Sequence, residues 1–330
     1  MRLVLLASAA FATPTIRWLA ESEHGIALVV TQPARGSGRG RHTTPTPVKV
    51  LADELGLPVV EVENVNTPEF IEKVRSLDAR LMLAIAFGQK LGPEFLAATP
   101  AGAINLHASL LPKYRGAAPI NWAVVRGERE TGNTVFRIVS RMDAGPILAK
   151  HAAPIEPDET AGELHDRLAD LGVQTVRDAF ALFADGINPP GTPQDDAQAT
   201  LAPKLKKSDG FIDFALTARS VVDLIRGMTP WPGATARYVA ASGRAEVVTI
   251  TRARSDADNA APETPLPPPL PRGDTGGFQP GTTDDRLLVA AGDGFVRIVE
   301  IKPASGRTMS WIDFVNGRHV SPGDRFESPT

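Results

Sequence analysis

The first half of the chain alternates short apolar runs with longer segments in which apolar residues recur at helical spacing. Short apolar runs are typical of strands buried on both faces, and spacings of three and four residues are typical of helices. The predicted strands span residues 2–6, 26–31, 80–84, 103–106 and 134–139. The predicted helices span residues 15–21, 48–55, 68–76, 93–97 and 120–126. Because short helices separate the strands, the pattern predicts an α/β domain with a mostly parallel sheet.

The pattern changes after a long amphipathic helix predicted at residues 160–183. A linker composition follows at 188–193, and beyond a helix at 217–228 the chain predicts a small β-barrel. Its β-like runs lie at residues 234–239, 246–251, 286–290 and 295–301. A proline- and glycine-rich tract at 254–285 is interpreted as a disordered loop inside the barrel. The predicted organisation is a first domain at 1–187, a linker at 188–208 and a second domain at 209–330.

The apolar start of the chain allows two interpretations. Residues 3–12 imitate a secretory signal, since they are apolar and end in the small-x-small pattern Ala10-Phe11-Ala12. The alternative is a buried first strand, and the strand predicted at 26–31 follows as promptly as a repeating βα unit requires. We favour the strand. No apolar run is long enough to cross a membrane, so no membrane-spanning segment is expected.

Composition narrows the classes of protein further. The 330 residues carry a formal net charge of −3, which excludes a globally basic nucleic-acid binder but leaves room for a local basic patch. Cysteine is absent, so disulfides, thiolate zinc sites and a catalytic thiol are excluded. A chain without disulfides suits a reducing cytoplasm, where we expect this protein. The six histidines show no ligand spacing, and no metal is expected.

Candidate chemistry follows the strand predicted at 103–106. Asn105 and His107 lie two residues apart, so in extended chain both side chains face one space at the carboxyl end of the strand. An Asn amide and a His can stabilise a developing oxyanion and transfer a proton, and Asp143, just before Gly145, is the candidate carboxylate partner. The plainer alternatives are a structural histidine and a turn-forming aspartate. The residues alone leave both interpretations open.

A basic, glycine-rich segment is the candidate nucleic-acid surface. No acidic residue occurs between His24 and Ala52, and Gly36, Gly38 and Gly40 favour a flexible loop. The basic residues of this segment are Arg35, Arg39, Arg41 and Lys49. The segment lacks the third glycine of a dinucleotide fingerprint and the Lys-Ser/Thr of a P-loop. An ordinary solvated loop is the alternative. Weaker candidates are Lys204, Lys206 and Lys207 in the predicted linker.

Residues 105–112 read Asn-Leu-His-Ala-Ser-Leu-Leu-Pro, and with the downstream Asp143-Ala144-Gly145 they resemble the signature of the folate-dependent formyltransferases. The resemblance implies a Rossmann-like catalytic domain and 10-formyltetrahydrofolate as co-substrate. It implies that Asn105, His107 and Asp143 are the catalytic trio. It also implies a folate-binding role for the residues Phe87, Gly88, Ser109, Leu110, Leu111 and Pro112.

The rest of the chain resembles one branch of that family. The basic segment, Trp231-Pro232-Gly233 and the Gly-Asp turns at 292–294 and 323–324 are similar to the branch that formylates the methionine of initiator tRNA. This branch has a C-terminal OB-like barrel, and it implies initiator Met-tRNA and folate as partners with no obligate protein partner. Two competing hypotheses remain: a formyltransferase or formyl-folate hydrolase acting on a small substrate or water, and an RNA-binding protein without activity.

Overall fold

The computed structural model describes residues 1–37, 42–184, 186, 188–256, 277 and 279–329. The strands are β1 (Arg2–Ala7), β2 (Gly25–Thr31), β3 (Arg35–Ser37), β4 (His42–Thr44), β5 (Val59–Glu61), β6 (Leu81–Ile85), β7 (Ala103–His107), β8 (Arg115–Gly116), β9 (Glu130–Arg137), β10 (Ile147–Pro154), β11 (Leu201–Ala202), β12 (Ala234–Val239), β13 (Ala245–Ser255), β14 (Val289–Ala290), β15 (Phe295–Pro303), β16 (Met309–Ser310) and β17 (Arg325–Glu327). The helices are α1 (Thr13–Glu21), α2 (Pro47–Glu54), α3 (Pro68–Arg75), α4 (Pro93–Leu96), α5 (Pro119–Val125), α6 (Ala161–Ala181), α7 (Ala218–Gly227) and α8 (Trp311–Arg318).

The chain forms two compact units, and neither is continuous in sequence. The first unit comprises residues Met1–Pro119, Glu130–Pro154 and His165–Pro203. The second unit comprises Ile120–Arg129, Ile155–Leu164 and Lys204–Thr330. Residues 188–203, which the sequence predicts as linker, belong to the first unit, where β11 pairs with β8. The domain boundaries at 187 and 209 stay a prediction.

A seven-stranded sheet in the order β10-β9-β7-β6-β1-β2-β5 forms the centre of the first unit. Five neighbouring strands of this sheet run parallel, in the order β5, β2, β1, β6 and β7. Strands β9 and β10 add an antiparallel edge beside β7. The chain leaves β1 toward β2 and β5, then returns to β6 on the other side of β1. The predicted mostly parallel, Rossmann-like sheet of an α/β protein is confirmed. Its topological switch point lies between β1 and β6, where open α/β sheets bind ligands.

The central strands are apolar because neither of their faces meets water. Leu3 to Ala7 in β1 are fully buried, and Leu81 to Ile85 in β6 are at most 5% exposed. The N-terminal apolar run therefore forms an interior strand of the sheet, β1, as the strand interpretation predicts. Helices α2 and α3 begin at Thr-Pro pairs in which the threonine hydroxyl accepts a backbone N–H, for example from Lys49 to Thr46. Proline fits the first helical turn because it needs no hydrogen-bond acceptor there.

The second unit contains an antiparallel sheet in the order β14-β15-β13-β12-β17, with β16 paired to β15. Residues Gly281 and Thr282 lie between its two edges. The Gly281 N–H donates to Ala290 in β14, and the Gly281 carbonyl accepts from Phe326 in β17. These contacts nearly close the sheet, and the predicted small barrel is confirmed. In the described part of the chain, every helix is too short or too polar to span a membrane.

The structure corrects several predicted boundaries. The strand predicted at 134–139 runs from Glu130 to Arg137, so the turn that carries Asp143 begins earlier than expected. The sequence missed β10, a mostly half-buried edge strand, and α8 near the C-terminus. The tract at 254–285 is not one loop, because β13 extends to Ser255 and residues 279–284 pair near the barrel edge. Residues 257–276 and 278 of that tract lie outside the described residues.

Candidate active site

Loops from neighbouring parallel strands meet at the carboxyl edge of the first unit's sheet. The Ser8 hydroxyl, just after β1, donates to the Phe87 carbonyl after β6 at 3.2 Å. The Gln32 side chain, just after β2, donates its amide to the same carbonyl at 2.7 Å. Ser8 also accepts the Gln32 backbone N–H at 3.1 Å. Three loops are thus joined at the switch point, and the candidate chemistry lies on the adjacent strand β7.

Strand β7 ends in the predicted Asn-x-His pair. Asn105 pairs with Phe136 on one side and with Ala84 on the other, and His107 follows two residues later. His107 is only 6% exposed, whereas Asn105 is partly buried. Within the residues that the structure describes, the Asn105 side-chain amide has no hydrogen-bond partner. It is therefore available to a ligand.

The imidazole of His107 is oriented by a backbone carbonyl. Its Nε2 lies 2.9 Å from the carbonyl oxygen of Tyr114. Because a carbonyl oxygen only accepts hydrogen bonds, Nε2 carries a proton and Nδ1 is the nitrogen that is left to exchange one. The ring also meets Phe136 edge-on, with ring centroids 6.4 Å apart.

Asp143 lies opposite Nδ1 of His107. The carboxylate oxygen Oδ2 is 3.9 Å from Nδ1, with side-chain exposures of 16% for Asp143 and 7% for His107. The same oxygen accepts the backbone N–H of Gly116 at 2.8 Å. A separation of 3.9 Å is too long for a direct hydrogen bond but short enough for Asp143 to attract the imidazole when the ring is protonated. The structure therefore brings the predicted His and Asp together, with Tyr114, not Asp143, making the orienting hydrogen bond.

Hydrogen bonds within the loop after His107 and from strands β9 and β10 fix the conformation of that loop. The Ser109 hydroxyl donates to the Lys113 carbonyl at 2.7 Å, and the buried Thr134 hydroxyl donates to the Ser109 carbonyl at 2.6 Å. Thr134 also accepts the Leu111 N–H at 3.1 Å, and the Lys150 ammonium donates to the Leu111 carbonyl at 2.6 Å. Neighbouring strands thus fix the loop backbone, which gives His107 a rigid surrounding.

The six predicted folate-binding residues differ in what they present. Ser109 and Leu111 are fully buried, and the Phe87 ring packs in the hydrophobic core at 4% exposure. These three side chains are packed inside the protein, so they stabilise the loops and expose almost no surface to a ligand. Surface is left at Gly88, Leu110 and Pro112. At Gly88 the backbone has φ +79°, which favours glycine, and an added Cβ would lie 2.6 Å from the Gln32 amide nitrogen and displace that side chain.

Ser8 and Gln32 are not among the site residues that the sequence predicts. The signal that could have identified them is positional, because each directly follows a buried parallel strand and so lies at the ligand-binding edge. Across the described residues, no group of three or more His, Asp or Glu side chains is arranged to hold a metal ion.

The predicted tRNA contacts are only partly described. Arg35 lies in β3, which pairs antiparallel with β4, so this flank is regular structure where the sequence predicts a flexible loop. Arg39 and Arg41 lie outside the described residues. Lys49 forms an ion pair with Asp53 one turn along α2. In the second unit the three lysines of the predicted linker are exposed, namely Lys204, Lys206 and Lys207.

Known families match both parts of the chain. A family model described as formyl transferase matches residues 1–180, and one described as formyl transferase, C-terminal domain, matches residues 204–319. Because the first of these models covers more than half of the chain, the chain belongs to the formyl transferase class.

Curated relatives define the branch. A protein from Heliobacterium modesticaldum named methionyl-tRNA formyltransferase is 40% identical over 99% of this chain and 100% of its own length. A protein of the same name from Citrifermentans bemidjiense is 38% identical over 98% of this chain and 95% of its own length. The chain belongs to the methionyl-tRNA formyltransferase family.

Solved structures support the fold. The N-formyltransferase from Helicobacter canadensis, solved with folinic acid and dTDP-3-aminofucose, has a TM-score of 0.60 at 14% identity and covers 90% of this chain and 98% of its own. HypX from Aquifex aeolicus with tetrahydrofolic acid has a TM-score of 0.58 at 16% identity and covers 98% of this chain and 48% of its own. At these identities the likeness concerns the fold.

Proposed function

We propose that this chain transfers the formyl group of 10-formyltetrahydrofolate to the α-amino group of methionine esterified to initiator tRNA. The substrates are suggested by the two relatives of that name described above, which match this chain over nearly their whole length at 40% and 38% identity. The observation that carries the chemistry is the Asn105 amide, which no described residue binds, two residues from His107, whose Nδ1 lies 3.9 Å from Asp143. The cytoplasmic location stays a prediction.

The residues at this edge fit a formyl donor. A formyl oxygen accepts hydrogen bonds, and Asn105 offers two N–H donors that no described residue uses. Gly88, Leu110 and Pro112 offer partly apolar surface beside the switch point, which suits a flat heterocycle. Bound there, the folate would supply the electrophilic formyl carbon. Folate derivatives in the structures of the Helicobacter and Aquifex proteins give this assignment a precedent at the level of fold.

Each residue of the trio has a distinct role in this proposal. Asn105 donates to the formyl oxygen and stabilises the negative charge that develops as the amine attacks. His107 uses Nδ1 to take the proton that the amine releases and to return it to the folate nitrogen as the bond between that nitrogen and the formyl carbon breaks, since Nε2 is engaged with Tyr114. Asp143 stabilises positive charge on the imidazole through the 3.9 Å approach. The amine must attack unprotonated, and an ordinary α-amine has a pKa of about 7.7–8.0.

The tRNA surface is proposed from charge alone. Arginines on a glycine-rich segment suit phosphate and base-edge contacts, because the guanidinium group binds phosphate oxygens in pairs. We assign this role to Arg35, Arg39, Arg41 and Lys49, with Lys204, Lys206 and Lys207 in support. Lys49 is the weakest of the first group, because its charge is already paired with Asp53.

The test is a formyl-transfer assay on the purified full chain. The substrates are 10-formyltetrahydrofolate with charged initiator tRNA, beside free methionine and elongator Met-tRNA. We expect formylation of the initiator only. Formyl-folate consumption without an RNA product would refute the tRNA substrate and support the small-substrate hypothesis. Binding of RNA with no folate consumed would refute the transferase. Arg39→Ala should raise KM for tRNA more than KM for folate, with an effect that shrinks in high salt.

A further inference from the structure

Gln194 lies in the segment that the sequence predicts as linker, yet its side chain contacts the turn that carries Asp143. Its amide nitrogen donates to the backbone carbonyl of Asp143 at 2.8 Å and to that of Gly145 at 2.8 Å. Both N–H groups of one amide are thus used on two carbonyls of one turn. Gln194 is partly buried and belongs to the same compact unit as Asp143.

The orientation of the Gln194 amide is set by Arg115. Arg115 donates from Nε and Nη2 to the Gln194 oxygen Oε1 at 3.1 and 2.7 Å. A guanidinium only donates and a carbonyl only accepts, so the amide can have its oxygen on the Arg115 side alone. Arg115 is 4% exposed, and its Nη1 pairs with Asp196 at 2.8 Å. Hydrogen bonds from Arg115 and then Arg141 lower the pKa of Asp196, so this anchor stays ionised at neutral pH.

These contacts close a ring around Asp143. Gly116, the residue after Arg115, donates its N–H to the Asp143 carboxylate at 2.8 Å. The side chain of Asp143 is therefore tied to the 115–116 backbone directly, and its main chain is tied to the same place through Gln194 and Arg115. Tyr114, the residue before Arg115, accepts the hydrogen bond from His107. Both members of the His107–Asp143 pair are located by one three-residue segment.

The turn needs such support because its backbone is unfavourable. Asp143 has φ +49°, in the left-handed region that is uncommon for residues with a Cβ, although aspartate adopts it more readily than most. Gly145 packs so closely that an added Cβ would lie 1.7 Å from the Arg137 carbonyl. If the two hydrogen bonds from Gln194 were lost, the turn could relax toward an ordinary conformation. The carboxylate would then move relative to Nδ1 of His107.

We propose that Gln194 is a positioning residue that fixes Asp143 opposite His107, with Arg115 orienting its amide. The inference rests on the proposed function, in which His107 and Asp143 act on the reaction. Gln194 itself touches no reacting atom. Its removal should change the rate of the chemical step and leave substrate binding nearly intact.

The first variants are Gln194→Ala and Gln194→Glu. The Glu variant keeps an acceptor for Arg115 but has no N–H for the Asp143 and Gly145 carbonyls. We expect both to lower kcat about 10- to 100-fold with KM for either substrate within about twofold, because a displaced catalytic group costs up to that factor. The matched control is Gln198→Ala in the same segment, whose amide contacts Asp195. It should retain full kcat.

A double-mutant cycle separates positioning from general support of the fold. In an Asp143→Asn background, Gln194→Ala should cause no further loss of kcat, since its effect passes through Asp143. Full kcat in Gln194→Ala, or losses that multiply in the double variant, would overturn the inference and leave the proposed function standing. Full kcat in Asp143→Asn alone would instead overturn the role of the trio. Circular dichroism of each variant confirms that kcat is compared between folded proteins.

Discussion

Two aspartates, one in each unit, are held by the protein in opposite ways. Asp324 in the barrel is 2% exposed, and its Oδ2 accepts the Tyr238 hydroxyl at 2.6 Å and the Ser321 N–H at 3.0 Å. Its Oδ1 accepts the Ala241 N–H at 2.8 Å. The carboxylate of Asp143 in the first unit accepts one hydrogen bond, from the Gly116 N–H, and among the described residues its Oδ1 has no partner. Both oxygens of the Asp324 carboxylate accept hydrogen bonds from the fold, whereas the Asp143 carboxylate can accept further ones.

The difference separates a carboxylate that holds structure from one that can do chemistry. Burial raises the pKa of Tyr238, and donation to Asp324 raises it further, so this phenol stays a hydrogen-bond donor at neutral pH. Asp324 thus joins strand β12 to the turn before β17 permanently. Asp143 faces an imidazole nitrogen that can gain and lose a proton. Buried carboxylates with full hydrogen bonding stabilise folds, whereas partly satisfied ones mark candidate sites.

Of the substitutions that test this comparison, Asp143→Asn should cause the largest change, a loss of kcat. Asparagine can still accept the Gly116 N–H, so the fold should be kept, but it has no charge to stabilise a proton at Nδ1 of His107. We expect kcat to fall by about 10²- to 10⁴-fold, the usual contribution of acid–base catalysis. Single-turnover formyl transfer with saturating substrates measures this, and the midpoint of thermal unfolding should change little.

A second His–Asp contact in the first unit supplies the control. His165 Nδ1 lies 2.9 Å from Asp166, whose side chain is 85% exposed. Asp166→Asn removes a carboxylate next to a histidine without touching the carboxyl edge of the sheet. It should turn over normally. Equal loss of activity in both variants would contradict the special role of Asp143.

Asp324→Asn should show the reverse pattern, with the loss in stability. One carboxylate oxygen would become an NH₂ group that faces the backbone N–H of Ser321 or Ala241. Two donors would then face each other, and the backbone N–H cannot rotate to avoid the contact. We expect a loss of roughly 3 kcal/mol, as for a broken buried polar network. Urea unfolding of the full chain by circular dichroism measures it, with attention to a separate transition for the second unit. At urea concentrations below the unfolding transition, kcat should be normal. An inactive but fully folded variant would contradict the structural role of Asp324.

The sequence predicts the central sheet and the position of Asn105 and His107 at the end of β7, because both depend on local pattern. Buried parallel strands are continuous apolar runs, and the i, i+2 spacing of Asn105 and His107 fixes a shared face. Asp143 is also apparent, since an Asp before a Gly after a strand indicates a turn near the sheet edge. Each of these inferences needs only the residues of one segment and the rules of strand geometry.

The features that the sequence did not predict depend on distant partners. Gln194 contacts a residue 51 positions away, and its own surroundings have the composition of a linker. Gly281 and Thr282 resemble an ordinary turn, yet they bridge the edges of the barrel. Strand β10 is half-buried and mixed in composition, because it lies at a sheet edge. Local pattern reports which face of an element is covered, but it cannot tell which remote side chain covers it.

A third carboxylate, Glu163 in the second unit, isolates the effect of solvent exposure and should give the smallest change. It accepts the Thr160 N–H at 2.8 Å at the start of α6 and pairs with Arg252 at 2.8 Å, but its side chain is 52% exposed.

The hydrogen bond from the Thr160 backbone, aided by Arg252, lowers the pKa of Glu163 below its ordinary 4.5. Its contribution to stability is therefore present above pH 4.5 and is lost as the pH falls through the lower pKa of the folded state. Glu163→Ala should cost about 0.5–1 kcal/mol at neutral pH, after allowance for screening at an exposed cap. The cost should fade as the pH is lowered toward 3 in thermal unfolding scans. Glu163→Gln keeps a capping oxygen without the charge and should lose less, and a cost for the Ala variant that is independent of pH would contradict the ionic part of the cap.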